Sequence, residues 1–202
     1  MSKEVLRNLL STKVPPQALD YCVDLWLEHP FHFKLTRSRA SKLGDYRYDP
    51  RNGSHQVTVN HDLNQYQFLI TYVHEVAHRV AHRPRTRLKP HGPHWKNTFR
   101  ELMLPVLTPQ VFPDDLLRLV ALHMRNPKAS TAGDPALVRA LAQYDPDRTV
   151  GPTLADLAPG DEFTFRSRKF RKLEKKRTRS VCLDLMNERR YLIPEMAEVT
   201  PL

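Results

Sequence analysis

Two cysteines in 202 residues, Cys22 and Cys182, are too few and too far apart for a disulfide framework or a cysteine-only zinc site. Long apolar runs are missing too: nothing approaches the roughly eighteen consecutive apolar residues that a membrane span requires. The opening MSKEVLRNLLSTK holds too short an apolar run for a secretory signal. Glycine is scarce at 6 residues while proline reaches 17, so many connections are stiff. Positive charge is what abounds. Lys and Arg number 32 against 22 Asp and Glu, a formal net charge of +10 that suits a polyanionic partner. At 40% hydrophobic the chain still has the means to fold, and its expected place is the cytoplasm, at the nucleoid if the source is bacterial.

Pro15-Pro16 open a stretch in which Leu19, Cys22, Val23, Trp26 and Leu27 form one stripe at helical spacing, with Cys22 read as a small core residue. Tyr46 and Tyr48 then alternate with polar neighbours, Pro50-Arg51-Asn52-Gly53 turns, and Val57 and Val59 alternate again, which predicts an antiparallel hairpin. Asp62 with Gln65 fits a capping-box start to a long helix, stopped by Pro84. Amphipathic helices are expected from Trp95 to Met103 and from Pro113 onward. Pro and Gly break the chain between residues 126 and 155 around one short helix at Ala136–Tyr144. The last part, 156–202, changes to period 2 at Phe163 and Phe165 and at Val181, Leu183 and Leu185, which suggests a small all-β domain.

His74-Glu75-Val76-Ala77-His78 carries the chemistry. Histidines at i and i+4 rise about 6 Å along one helical face, so two imidazoles can converge on one ion. Glu75 between them is placed to take a proton from a metal-bound water. Both histidines fall outside the apolar stripe formed by Phe68, Leu69, Tyr72, Val73, Val76 and Ala77, so they face a cleft rather than the core. Tetrahedral zinc then needs a third protein ligand. His82 lies about 12 Å along the helix from His74, too far for one ion. Glu101 and the segment Pro90-His91-Gly92-Pro93-His94-Trp95 remain as sources.

HExxH followed at short range by His91-Gly92-x-x-Trp95 resembles the SprT-like metallopeptidases, the family of the Spartan-type DNA-dependent proteases. The resemblance spans roughly residues 15–125 and implies Zn2+ held by His74, His78 and His91, with Glu75 as catalytic acid/base and Trp95 as packing. It implies an α+β fold: a zincin-like domain over 1–125, with helices on a small antiparallel sheet and HExxH on the central helix. The Pro-rich linker 126–155 follows. The basic domain 156–202 is similar to the SH3-like barrel of some bacterial relatives, because Cys182 alone cannot build the zinc ribbon of others. The implied substrates are proteins bound or crosslinked to DNA. No oligomeric state follows from it.

Two basic runs bear on the DNA. Arg79, Arg83, Arg85, Arg87 and Lys89 come without an acid between the helix and His91. From Phe163 to Cys182, Arg166, Arg168, Lys169, Arg171, Lys172, Lys175, Lys176, Arg177 and Arg179 meet Glu174 alone. Phe163, Phe165 and Phe170 interleave with that charge, as in surfaces that stack nucleic-acid strands, so sequence-independent binding is expected. The rival readings are a nucleic-acid-binding module with a structural zinc and no proteolysis, and a metallopeptidase indifferent to nucleic acid.

Overall fold

The computed structural model describes residues 1–39, 41–83, 89–145 and 151–202. They form an α+β structure with two sheets, divided into two compact units, Met1–Ala129 with Tyr144–Pro146 and Ser130–Gln143 with Asp147–Leu202. No helix among the described residues is long and apolar enough to cross a membrane.

In the first unit, α1 (Lys3–Ser11) is capped by the Ser2 hydroxyl and buries Leu6 and Leu10. Pro15 and Pro16 lead through a short 3-10 turn into α2 (Leu19–Glu28). Cys22 lies fully buried there, its thiol pushed to a high pKa by desolvation, which fits the core role and not a reactive one. Leu27, placed in the same stripe by periodicity, is exposed instead, and Leu25 is buried.

The expected hairpin is present: β2 (Gly44–Asp49) runs antiparallel to β3 (Ser54–Asn60), with Tyr46 opposite Val57. The sheet is not purely antiparallel, however. β1 (His32–Thr36) lies parallel to β3 on its other side, giving the order β1-β3-β2. Phe33 packs edge-to-face on Phe68 and Tyr72 of the next helix, and Phe31 packs on Phe33 and Tyr72, so the inward rings of this strand hold it on the core.

That helix, α3 (Gln65–Ala81), is the axis of the unit. Its cap is Asn64, not Asp62: the Asn64 side-chain oxygen accepts from the backbone N–H groups of Tyr66 and Gln67 at 3.1 and 2.9 Å. Buried residues run almost all round α3, and the Tyr72 hydroxyl donates to the Cys22 carbonyl at 2.9 Å, tying α3 to α2. α4 (Pro93–Met103) and α5 (Asp114–Arg125) follow where periodicity puts them, with Asp114 and Asp115 in the first turn of α5.

The second unit takes in α6 (Pro135–Ala142), capped by Asp134, and a five-stranded antiparallel sheet in the order β7-β6-β5-β4-β8. Its strands are β4 (Glu162–Phe165), β5 (Arg168–Lys175), β6 (Arg179–Asp184), β7 (Arg190–Pro194) and β8 (Thr200–Pro201). Arg166 and Ser167, both at positive φ, make the two-residue turn from β4 to β5. Phe163, Phe170, Cys182 and Ile193 form the core with Leu154, Leu157 and Val199.

The cap assignment is testable by thermal denaturation. Asn64→Ala is expected to cost about 1–2 kcal/mol by freeing two N–H groups, whereas Asp62→Ala stays within about 0.5 kcal/mol.

Candidate metal centre

Each of the three histidines is aimed by a different local constraint. His74 and His78 share a face of α3 through their i, i+4 spacing. His91 sits in the turn before α4, closed by the Gly92 N–H donating to the Lys89 carbonyl at 3.0 Å. A Cβ on Gly92 would lie 2.9 Å from that same carbonyl oxygen, so the turn requires glycine there. His91 itself adopts φ +55°, an uncommon conformation for a side chain to hold and a modest local strain.

The result is convergence. His91 Nε2 lies 3.0 Å from His78 Nε2 and 3.3 Å from His74 Nε2. Nitrogens sharing one tetrahedral ion at about 2.0–2.1 Å stand about 3.3 Å apart, so the donor set fits a zinc-sized cation. Among the described residues no other group of three or more His, Cys, Asp or Glu comes together in this way. Glu101 and His94 are exposed on α4 and outside the cluster. His82 packs against Tyr48 instead, 4.3 Å between ring centroids.

Trp95, on the first turn of α4 and 3% exposed, is the floor of the site. Its ring centroid lies 4.6 Å from those of His74 and His91 and 5.1 Å from that of His78, and Phe99 backs it at 5.1 Å. Burial here pushes all three imidazoles below their ordinary pKa: His74 well below, His78 to about 4, and His91 in the same direction. His78 and His91 lower His74 further, His91 lowers His78 and Lys96 lowers His91, and a neutral imidazole is the form that ligates.

Glu75 points to the sheet side of the same helix. It is 7% exposed, and burial, then the Asp45 carboxylate, raise its pKa to about 8. The Tyr46 backbone N–H, Arg39 and Lys42 act the other way. Strand β2 passes directly over it: a Cβ on Gly44 would come within 2.7 Å of Glu75 Cγ and Oε1. Gly44 and Tyr46 thus seat the glutamate, a role the sequence signals only as a glycine at the start of a strand pattern. Gly44, Asp45 and Tyr46 line one wall of a cleft of about 510 Å³, with the three histidines, Glu75, Arg83, Lys89 and Trp95 around the rest.

The expected nucleic-acid contacts fare unevenly. Arg83 and Lys89 lie at the cleft, with the Arg83 guanidinium folded back on the Val80 and His82 carbonyls. Arg85 and Arg87 lie outside the described residues. Lys172 does not belong to any surface: it is 3% exposed, and its ammonium donates to the Leu154 and Leu157 carbonyls at 2.7 and 2.9 Å beside Glu195. The alternation that puts Phe170 inward carries Lys172 inward too. Arg168 pairs with Asp184 over the Tyr191 ring, Arg171 with Glu162, Lys175 with Glu195 and Lys176 with Glu174. Arg166 lies over the Phe165 ring, and Lys169, Arg177 and Arg179 are exposed. The phenylalanines offer no stacking platform, because Phe163 and Phe170 are core residues and Phe165 packs against them.

Compared with models of protein families, with curated proteins and with solved structures, the chain matches none.

Two outcomes test this geometry. Gly44→Ala should destabilise the protein by about 1–3 kcal/mol through overpacking, and adding Glu75→Ala should recover part of the loss, measured as a double-mutant cycle. For the histidines, the folded state holds His78 neutral down to about pH 4 whereas the unfolded chain takes up that proton near 6.5. Stability of the metal-free protein is therefore full above about pH 6.5 and falls toward pH 4, by about 3 kcal/mol for His78, and the fall is shallower in His78→Gln.

Proposed function

We propose that the chain is a zinc-dependent endopeptidase of the SprT-like type, with a zincin-like first unit and an SH3-like second one, acting on proteins bound to DNA. The observation that carries this reading is the approach of three imidazole Nε2 atoms beside a buried glutamate in an open cleft. His74, His78 and His91 would hold the ion. Zinc so held supplies Lewis acidity where the peptide carbonyl oxygen gains charge.

The remaining work falls to this chain's own groups. Glu75 takes the proton of the attacking water and hands it to the amine nitrogen as the C–N bond breaks. Its raised proton affinity suits both halves of that exchange. Strand β2 is an edge of its sheet, and its Gly44–Tyr46 stretch lines the cleft, so an extended peptide can pair with its free side and present a carbonyl to Glu75.

The rival reading, a structural zinc in a binding module, is less well supported. Structural sites close the ion within four protein ligands, while the described residues offer three around a cleft. For the DNA, Arg83 and Lys89 at the cleft and Lys169, Arg177 and Arg179 on the second unit are the cations most available to phosphates.

Digestion of casein and of histones, with and without single-stranded DNA and with chelator as control, is the test. Wild-type protein should cleave in a chelator-sensitive way, faster with DNA. Glu75→Gln should retain one zinc per chain and lose at least about 100-fold in turnover. Binding without cleavage by the wild type would favour the module, and undiminished cleavage by Glu75→Gln would remove this mechanism.

A further inference from the structure

Strand β6 is built inside out. In Arg179–Asp184 the residues that turn inward are Ser180, Cys182 and Asp184, each at 0% exposure, and the aliphatic Val181 and Leu183 turn outward with Leu185 after them. All three are half-buried, and among the described residues the partly buried hydrophobics that pack against the core of the unit are Phe165, Tyr191 and Ala197 instead. The inward polar groups are all satisfied: the Ser180 hydroxyl donates to Glu195 Oε1 at 2.6 Å, and Asp184 accepts from the Met186 and Asn187 backbone N–H groups and from Arg168. A strand facing only water and core would carry the opposite pattern, because fully burying polar groups while leaving aliphatic ones partly exposed forfeits hydrophobic stabilisation.

The neighbours complete a surface. Register puts Leu192 of β7, 56% exposed, opposite Val181, and it sets Leu183 between Arg171 of β5 and Arg190 of β7. Aliphatic side chains thus run along the middle strand, with a guanidinium on either side of Leu183, while Val181 has Leu192 on one side and Glu174, paired with Lys176, on the other. Among the described residues the Arg171 guanidinium is held by an exposed pair with Glu162, which a partner's carboxylate can replace at little cost. This face lacks the feature that base stacking needs, since Phe163, Phe165, Phe170 and Tyr191 are all committed to the core side.

We infer that the outward face of β5, β6 and β7 is a docking surface for an extended, acidic protein segment that carries aliphatic side chains at alternate positions. The aliphatic residues of the segment cover Val181, Leu183 and Leu192, and its carboxylates meet Arg171 and Arg190. Alternation is required by the 2-residue repeat of both the strand and the segment laid along it. Such a partner is distinct from a peptide held in the histidine cleft, and this inference does not rest on the peptidase reading.

A random peptide library displayed against the full-length protein tests it without presupposing the partner. The enriched peptides should be net negative, with Leu, Ile or Val at alternate positions. Their affinity should fall at least tenfold in Leu183→Asp and in Arg190→Glu. In Leu183→Thr, which keeps the strand preference, it should fall less, with the melting temperature unchanged. Oligothymidylate is measured on the same proteins. The inference is overturned if nothing is enriched, or if the enriched peptides bind Leu183→Thr and a folded Leu183→Asp as well as wild type. It is overturned equally if oligothymidylate is the ligand whose binding depends on Leu183 and Arg190, which would make the face a nucleic-acid surface.

Discussion

Holding His91 Nε2 at 3.0 and 3.3 Å from those of His78 and His74 is possible only while the rings stay uncharged, and the rest of the first unit is arranged to keep them so. Two imidazolium ions at that distance would repel strongly in a partly desolvated site. Trp95 supplies the desolvation by covering one side of all three rings, with Phe99 behind it. His91 Nε2 is within hydrogen-bond reach of both helix histidines, so without an ion a single proton there can bridge to either lone pair. A cation at the meeting point answers all three lone pairs at once. The strain of a left-handed His91 is small beside that gain.

The glutamate obeys the opposite demand. It lies on the same helix one residue after His74, yet the 100° step of the helix turns it from the cleft floor toward the sheet, where β2 closes over it. The Tyr46 N–H, Arg39 and Lys42 only partly offset burial and the Asp45 carboxylate, which together leave its pKa raised to about 8. Its seat needs a strand that can approach without a side chain, and Gly44 is where that approach happens. The parallel strand β1 bears on this indirectly. By packing Phe33 on Phe68 and Tyr72 it fixes the sheet to α3, and so fixes the distance between β2 and Glu75.

How far all this could be read from the residues depends on which physical signal each feature leaves. The i, i+4 histidines and their position off the apolar stripe are properties of one helix, and they survive folding unchanged. The hairpin was equally local. The cap is ambiguous in the sequence because Asp62 and Asn64 are both good capping residues, and the choice between them is made by where the chain turns from β3. β1 leaves little trace although Phe31, Phe33 and Leu35 alternate, since five residues without a turn signal are weak evidence for a strand that pairs in parallel with one 24 residues on, His32 opposite Gln56. The β4–β5 turn at Arg166-Ser167 lacks the Asn-Gly or Asp-Gly pair that marks such turns. The convergence of His91 on the helix pair is non-local, and only the family resemblance pointed to it.

The second unit shows why a period of 2 is half an answer. Alternation establishes that two faces differ; it leaves open which of them is inward. In β5 the inward set includes Lys172, in β6 it is Ser180, Cys182 and Asp184, and both are tolerated because Glu195 and two carbonyls receive the buried donors. The same partition disposes of the charge run. Nine cations in twenty residues form a dense patch on paper. Once the strand is pleated and paired, one of them is inside and four are matched to Asp184, Glu162, Glu195 and Glu174. The two pairs exposed on both sides, Arg171 with Glu162 and Lys176 with Glu174, hold their partners weakly, whereas Arg168 and Lys175 face the buried carboxylates of Asp184 and Glu195, so a polyanion finds each cation already matched. Linear charge density therefore overstates what this unit offers to phosphates, while the aliphatic stripe between Arg171 and Arg190 is invisible to a count of charge.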